Sequence, residues 1–345
     1  MSLEKTDLTL GYIALACCAP LAVAKARGEF EREGLNVTLS REPSWANIRD
    51  RIAVGALDGA HMLGPQAIAM SLGLGGEVTP VIAPMALNLN GSAITVSTAV
   101  AEALREIAPD EMTVRPRAAA ALRPLIERRR KAGEPPLTFA AVFSYSVHNY
   151  ELRHWLAAGG IDPDRDVRIV VTPPARMVEQ LTAGDIDGFC VTAPWNGMAW
   201  QAGVGEVLVH ASEIWPRSPD KVFGVTQGWA ERHPETLSAL IRAMERAAAW
   251  ADVRENRAEL AALLAGFIGA PEAALRLSLV GPDGGAPEAF KDPDYIIFHR
   301  EGANRPVAGH ARWFLGQMAR WGQVPAAAEA EAVYRPDLYD LALRA

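Results

Sequence analysis

One short pattern occurs twice and constrains the fold more than any other feature. Gly55-Ala56-Leu57-Asp58-Gly59 precedes Pro65 at the same spacing that Gly184-Asp185-Ile186-Asp187-Gly188 precedes Pro194. Both copies follow a helical pattern and lead through a short apolar strand into another helix. Asp-Gly favours the turn into each strand. Each proline is placed to open a helix at the strand's C-terminal end. The repeat predicts two similarly built α/β lobes. In open α/β sheets, ligands bind beyond the carboxyl ends of the strands. Helix N-termini there offer N–H donors and a partial positive charge, which suits small anions.

Strand and helix patterns alternate along most of the chain, which implies parallel sheets with helices on their faces. Helices are expected over Pro20–Arg27, Trp45–Val54, Gln66–Leu72, His148–Ala158 and Ala175–Ala183, and from Pro194 onward. Strands are expected over Asn36–Leu39, Gly59–Leu63, Val78–Met85, Ala93–Ser97, Phe139–Phe143, Val167–Thr172, Gly188–Val191, Val207–His210 and Val222–Thr226. From Thr98 to Pro136 the composition shifts to an Ala/Arg/Glu-rich helix. The run Arg128-Arg129-Arg130-Lys131 inside it reads as a solvated face. After Glu235 the chain is mainly helical, with a Gly/Pro-rich loop at Gly281–Pro287 and a last strong helix over Val307–Trp321. The expected division is residues 1–97 plus 208–345 for one lobe and 98–207 for the other.

A net charge of −7 argues against a nucleic-acid surface. The three cysteines, Cys17, Cys18 and Cys190, cannot all pair, which suits a reducing compartment. No apolar run reaches the roughly 18 residues of a membrane span. The stretch Leu8–Gly28 has two readings: a leader with a lipoprotein-like box at Ala14–Cys17, or a first strand, loop and helix. Its acidic flank, with Glu4 and Asp7, and its broken apolar core favour the second. On that reading the protein as given is cytoplasmic; a natural leader lost before Met1 would make it periplasmic.

Recognised catalytic loops are absent. The glycines of Ser71-Leu72-Gly73-Leu74-Gly75-Gly76 follow a helix instead of opening one, so they read as a helix-ending loop, not a dinucleotide site. His148, His154 and His233 are not phased for a metal site. His148 lies in the first turn of a helix that Ser146 can cap, where it either donates into a ligand site or belongs to the capping structure. Trp45 opens another helix behind Pro43-Ser44, either as core or as an indole N–H donor. Lys221 precedes a strand, either as a solvated surface lysine or as the positive charge an anion needs.

At these residues the sequence resembles the nitrate/sulfonate/bicarbonate solute-binding proteins. The blocks that carry the resemblance include Pro20–Lys25, Ser40–Ala46, Leu57–Leu63 with His61, and Leu87–Gly91. His148-Asn149-Tyr150, Phe189–Val191 with Pro194-Trp195-Asn196, Trp229–Pro234 and Tyr334–Tyr339 complete them. The resemblance implies a type II periplasmic-binding-protein fold, with two α/β lobes and a ligand cleft between them. It implies a ligand set of Trp45, His148 and Lys221, with Ser92, Pro194, Trp195 and His61 beside them. A bicarbonate-binding relative carries an acidic residue at the lysine position and uses a metal. Lysine implies an anion, nitrate or nitrite, held with no metal or other cofactor. Three positions depart from the family pattern: Ser92 replaces a longer amide, Ala193 replaces a carboxylate, and Arg305-Pro306-Val307-Ala308 replaces an aromatic pair ahead of His310. These leave a larger oxyanion or an organic ligand open.

The family has two uses for this fold. A cytoplasmic nitrate/nitrite sensor regulates nitrate assimilation by holding an RNA-binding antiterminator inactive. An extracytoplasmic member delivers its anion to an ABC permease. The sensor is the expectation here, with the permease partner as alternative, and neither use involves direct nucleic-acid contact or membrane insertion. The superfamily also contains a thiamine-pyrimidine synthase with a cysteine-rich motif. Cys17-Cys18 is a poor fragment of that motif, so no enzyme activity is expected.

Overall fold

The computed structural model describes residues 2–281 and 290–344. The expected loop at Gly281–Pro287 therefore lies, from residue 282 onward, outside the described residues. The chain divides into two compact units. The first comprises Met1–Leu89, Pro219–Glu272 and Ile296–Ala345, and the second comprises Asn90–Ser218 and Ala273–Tyr295.

The first unit is built on β1 (Asp7–Tyr12), β2 (Asn36–Arg41), β3 (Gly59–Leu63), β4 (Val81–Ala86) and β11 (Lys221–Thr226), in the order β2-β1-β3-β11-β4. β1 runs parallel to β2 and β3, whereas β11 is antiparallel to β3 and β4. Leu8–Gly28 forms β1, a 3-10 turn at Ala16–Cys18 and a helix over Ala19–Ala26 with Pro20 in its first turn. That helix packs on the 19-residue helix Pro234–Asp252. The long helix buries Leu237, Leu240, Ile241, Met244, Ala247, Ala248 and Ala251, an apolar stripe at three- and four-residue spacing.

The second unit has its own five-stranded sheet. β5 (Leu89–Asn90) pairs with β12 (Ile296–Ile297) in a separate two-stranded ribbon. The sheet itself comprises β6 (Ser92–Ser97), β7 (Thr138–Ala141), β8 (Arg168–Val171), β9 (Gly188–Thr192) and β10 (Gly205–His210), in the order β10-β6-β9-β7-β8. β7 is parallel to β8 and β9, and β6 is antiparallel to β9 and β10. Its core includes Ile94, Val96, Leu104, Leu122, Phe139, Leu152, Leu156 and Leu208.

Two expectations need correction. The sheets are mixed, not parallel, because β6 and β11 enter each sheet against the direction of their neighbours. The division between units also falls elsewhere than at 97/98 and 207/208. β6 belongs to the second sheet through long-range pairing with β9 and β10, and Ala273–Tyr295 joins the second unit. Strand patterns are local, whereas these pairings join segments about 100 residues apart.

The internal repeat has a structural basis. In the first unit the Asp58 N–H donates to the Thr9 carbonyl at 2.9 Å, and the Thr9 N–H donates to Asp58 Oδ2 at 2.9 Å. In the second, the Asp187 N–H donates to the Thr138 carbonyl at 2.7 Å, and the Thr138 N–H donates to Asp187 Oδ2 at 2.7 Å. Each aspartate thus locks its turn to the start of the neighbouring parallel strand. The glycine-rich stretch after Ser71 ends a helix as expected: Gly73 and Gly75 take φ of +71° and +74°, and the Leu74 N–H donates to the Ala69 carbonyl at 2.8 Å.

Candidate functional site

In the first unit, Trp45 is the first residue of the helix Trp45–Ala53, which Ser44 caps through the Asn47 N–H. Trp45 is 1 % exposed, and its indole Nε1 has no hydrogen-bond partner among the described residues. Its carbonyl accepts from Gln66 Nε2 at 2.7 Å, which ties it to the helix Gly64–Ser71. Buried indole donors are normally paired. An orphaned one beside a cation is a place where a ligand acceptor fits.

That cation is Lys221. It opens β11 opposite Leu63 and is 0 % exposed, so the surface reading of this lysine is overturned. Its Nζ lies 5.7 Å from the centroid of the Trp45 ring. A buried ammonium costs several kcal/mol unless it is paired. Here it donates to Asp220 Oδ1, and Asp220 Oδ2 accepts from Asn88 Nδ2 at 3.1 Å.

His61 stands edge-on to Trp45, with ring centroids 5.3 Å apart. Burial, and secondarily the charge of Lys221, holds its imidazole well below the ordinary range, so it is neutral. Its Nδ1 accepts from the Ile13 N–H at 3.4 Å, which places the proton on Nε2, 3.3 Å from Cys17 Sγ. Both ring nitrogens are thus engaged by the protein itself. His61 packs edge-on against the Trp45 ring, with Ile13 and Cys17 as the protein partners of its two nitrogens. Burial pushes the Cys17 thiol far above its usual range, with Lys221 offsetting only part of that. A neutral thiol held by a donating imidazole is not an activated nucleophile.

In the second unit, His148 lies in the first turn of the helix Val147–Ala158, capped by Ser146, whose Oγ accepts from the Asn149 N–H at 3.0 Å. The imidazole is 0 % exposed, with Nε2 2.9 Å from Thr192 Oγ1 at the end of β9. Trp195, at the start of the helix Trp195–Gln201, is buried with an indole Nε1 that has no partner among the described residues. Pro194 precedes this helix and has no N–H to donate. Ser92 donates its hydroxyl proton to Glu151 Oε2 at 2.6 Å, so it has no donor left for an anion. Asn196 is a framework residue, donating to the Ala93 carbonyl at 3.1 Å and to Thr95 Oγ1 at 3.0 Å.

Sequence reading missed Asp220, Asn88, Gln66, Thr192 and Glu151. Asp220 adjoins Lys221, and Gln66 follows Pro65 in a helix's first turn, yet nothing local marks either as buried. Among the described residues, no three His, Cys, Asp or Glu side chains gather as a metal site. No helix among them is long and apolar enough to cross a membrane.

The profile of the NMT1-like family matches residues 1–265. The chain is 37% identical over 355 aligned positions to the nitrate import ATP-binding protein NrtC of Synechocystis sp. PCC 6803, covering 99% of this chain and 50% of the relative. It is 38% identical to the bicarbonate transport ATP-binding protein CmpC of the same organism, covering 94% of this chain and 47% of CmpC. The chain thus spans about half the length of these relatives. The crystal structure of the periplasmic nitrate-binding protein NrtA from Synechocystis PCC 6803 superimposes with a TM-score of 0.87 at 28% identity, covering 100% of this chain and 90% of that one.

Proposed function

Because the chain belongs to the NMT1-like family of nitrate- and sulfonate-type solute-binding proteins, with their periplasmic-binding-protein fold, we propose that it binds a small oxyanion, nitrate or nitrite. The observation that carries this reading is a fully buried lysine beside a buried indole N–H without a partner among the described residues. Nitrate is planar, singly charged and weakly basic. It needs donors for three oxygens and one nearby positive charge. In this proposal Lys221 supplies the charge and the Trp45 indole one donor in the first unit, and His148 and Trp195 are the proposed donor side chains of the second unit. Each charge-assisted bond contributes roughly 1.5–3 kcal/mol, so two or three of them give about 3–9 kcal/mol before the cost of ordering, which sets the affinity at about micromolar or weaker.

We further propose that binding serves nitrate sensing, with a small RNA-binding antiterminator as the partner released by the anion. Three free, buried cysteines suit the reducing compartment such a sensor works in. The anion shifts the partner equilibrium only by its differential affinity for the two states. A second reading, delivery of the anion to an ABC permease, draws on the transport roles in the names of NrtC and CmpC.

Calorimetry of metal-free protein against nitrate, nitrite, bicarbonate and taurine, repeated with Lys221→Glu, tests the ligand. Absence of heat with nitrate and nitrite overturns it. Co-purification with an antiterminator that nitrate fails to release overturns the sensor role.

A further inference from the structure

The chain passes between the two units after residues 89, 218, 272 and 295. Three of those passages are tied together inside the second unit. The Asn90 N–H donates to the Ser218 carbonyl at 2.7 Å, and Asn90 Oδ1 accepts the Ser218 N–H at 2.9 Å. Asn90 Nδ2 donates to the Asp294 carbonyl at 2.9 Å. Asn90 adopts φ of +58°, a left-handed conformation that asparagine tolerates better than most residues.

A second layer of bonds lies behind this one. Glu151 is 1 % exposed, and each of its carboxylate oxygens takes a serine hydroxyl: Ser92 on Oε2 at 2.6 Å and Ser218 on Oε1 at 2.6 Å. Both distances fall in the short range of charge-assisted O–H···O⁻ bonds. Ser92 follows the first passage by three residues, and Ser218 is the last residue before the second. Glu151 lies three residues after His148 on the helix Val147–Ala158, one turn along the same face.

We infer that Glu151 is a positioning residue for anion binding, fastening the helix that carries His148 to the two chain passages at Ser92 and Ser218. The inference rests on the proposed anion site and extends it to a residue that touches no ligand. Nothing in the helix pattern calls for a carboxylate there, since a buried charge costs several kcal/mol without bonded partners. Glutamate is retained with both oxygens bonded to groups at passages of the chain. Moving the carboxylate releases the turn that carries His148 and loosens two passages at once.

The test is nitrate calorimetry and stopped-flow tryptophan fluorescence on the wild type, Glu151→Gln, Ser218→Ala and Glu151→Gln/Ser218→Ala. Glutamine keeps the shape but cannot take both hydroxyl protons with full charge. We expect Glu151→Gln to weaken nitrate binding by about tenfold or more, chiefly through faster dissociation, while the ligand-free melting temperature changes little. Ser218→Ala loses less, and the double variant is no worse than Glu151→Gln alone. A melting temperature that falls while affinity holds shows a purely structural carboxylate and overturns the inference. Strictly additive losses overturn it as well. Wild-type protein that binds nitrate beside an equally tight Glu151→Gln refutes this inference alone. Wild-type protein that binds no nitrate refutes the anion reading and this inference with it. If Glu151→Gln fails to fold, Ser218→Ala decides: unchanged affinity and dissociation rate overturn the inference.

Discussion

Replacing Trp45 with phenylalanine separates the proposed binding role of the indole from its packing role. The ring stays in place against His61 and Lys221, but Nε1–H is gone. In the ligand-free protein that N–H is buried without a partner among the described residues. Removing it recovers up to about 1–3 kcal/mol of desolvation. The smaller ring leaves a gap of some tens of Å³, which at ~24 cal/mol per Å³ costs about 1 kcal/mol. These two effects nearly cancel, so the ligand-free melting temperature is expected to hold or rise slightly. Binding has no such offset. Loss of one hydrogen bond to a charged oxygen is worth about 1.5–3 kcal/mol, or roughly 10- to 150-fold in Kd. Isothermal calorimetry with nitrate and thermal unfolding without it are the paired assays. An unchanged Kd with a lowered melting temperature would refute the reasoning, because it would make Trp45 a packing residue alone.

Lys221→Met is expected to abolish binding and to destabilise the protein by about 3–5 kcal/mol, because Asp220 is left buried without its cation. The double variant Lys221→Met/Asp220→Asn should recover part of that stability and none of the binding, as read from urea midpoints and calorimetry; recovered binding would refute the charge argument. Burial raises the Cys17 thiol and pushes Cys18 up to about 12. The two should therefore react slowly with Ellman's reagent in the native state and fully in guanidinium, and a fast native reaction at either would contradict their placement. The ligand-free protein should lose stability on acidification. Burial depresses His61 well below its ordinary value and lowers His310 to about 4. Above pH ~6.5 neither the folded nor the unfolded state binds these protons. Below it the unfolded state takes them up first, so stability falls by about 1.4 kcal/mol per pH unit for each histidine until the folded value is passed. For His310 that window closes near pH 4. Urea midpoints at pH 7.5, 6 and 5 measure the slope, and a flat profile would exclude it.

Much of the architecture was legible in local pattern. The repeat around Asp58 and Asp187 predicted two related α/β lobes, and both aspartates make the same paired bonds to a parallel neighbour strand. Turn chemistry and capping are short-range, so Ser44 and Ser146 could be read as helix starts directly from sequence. Strand direction could not, because antiparallel insertion of β6 and β11 depends on pairing between distant segments.

The candidate site divides in the same way. Sequence alone marked Trp45, His148 and Lys221 by residue type and by position at helix or strand starts. It could not decide whether Lys221 was solvated, since burial follows from what packs around a residue, not from its neighbours in the chain. Tertiary structure enclosed the lysine with Asp220 and Asn88, turned His61 toward Cys17 and Ile13, and bound the Ser92 hydroxyl to Glu151. Residue chemistry supplies the donors. Only the folded arrangement determines which of them already have a protein acceptor.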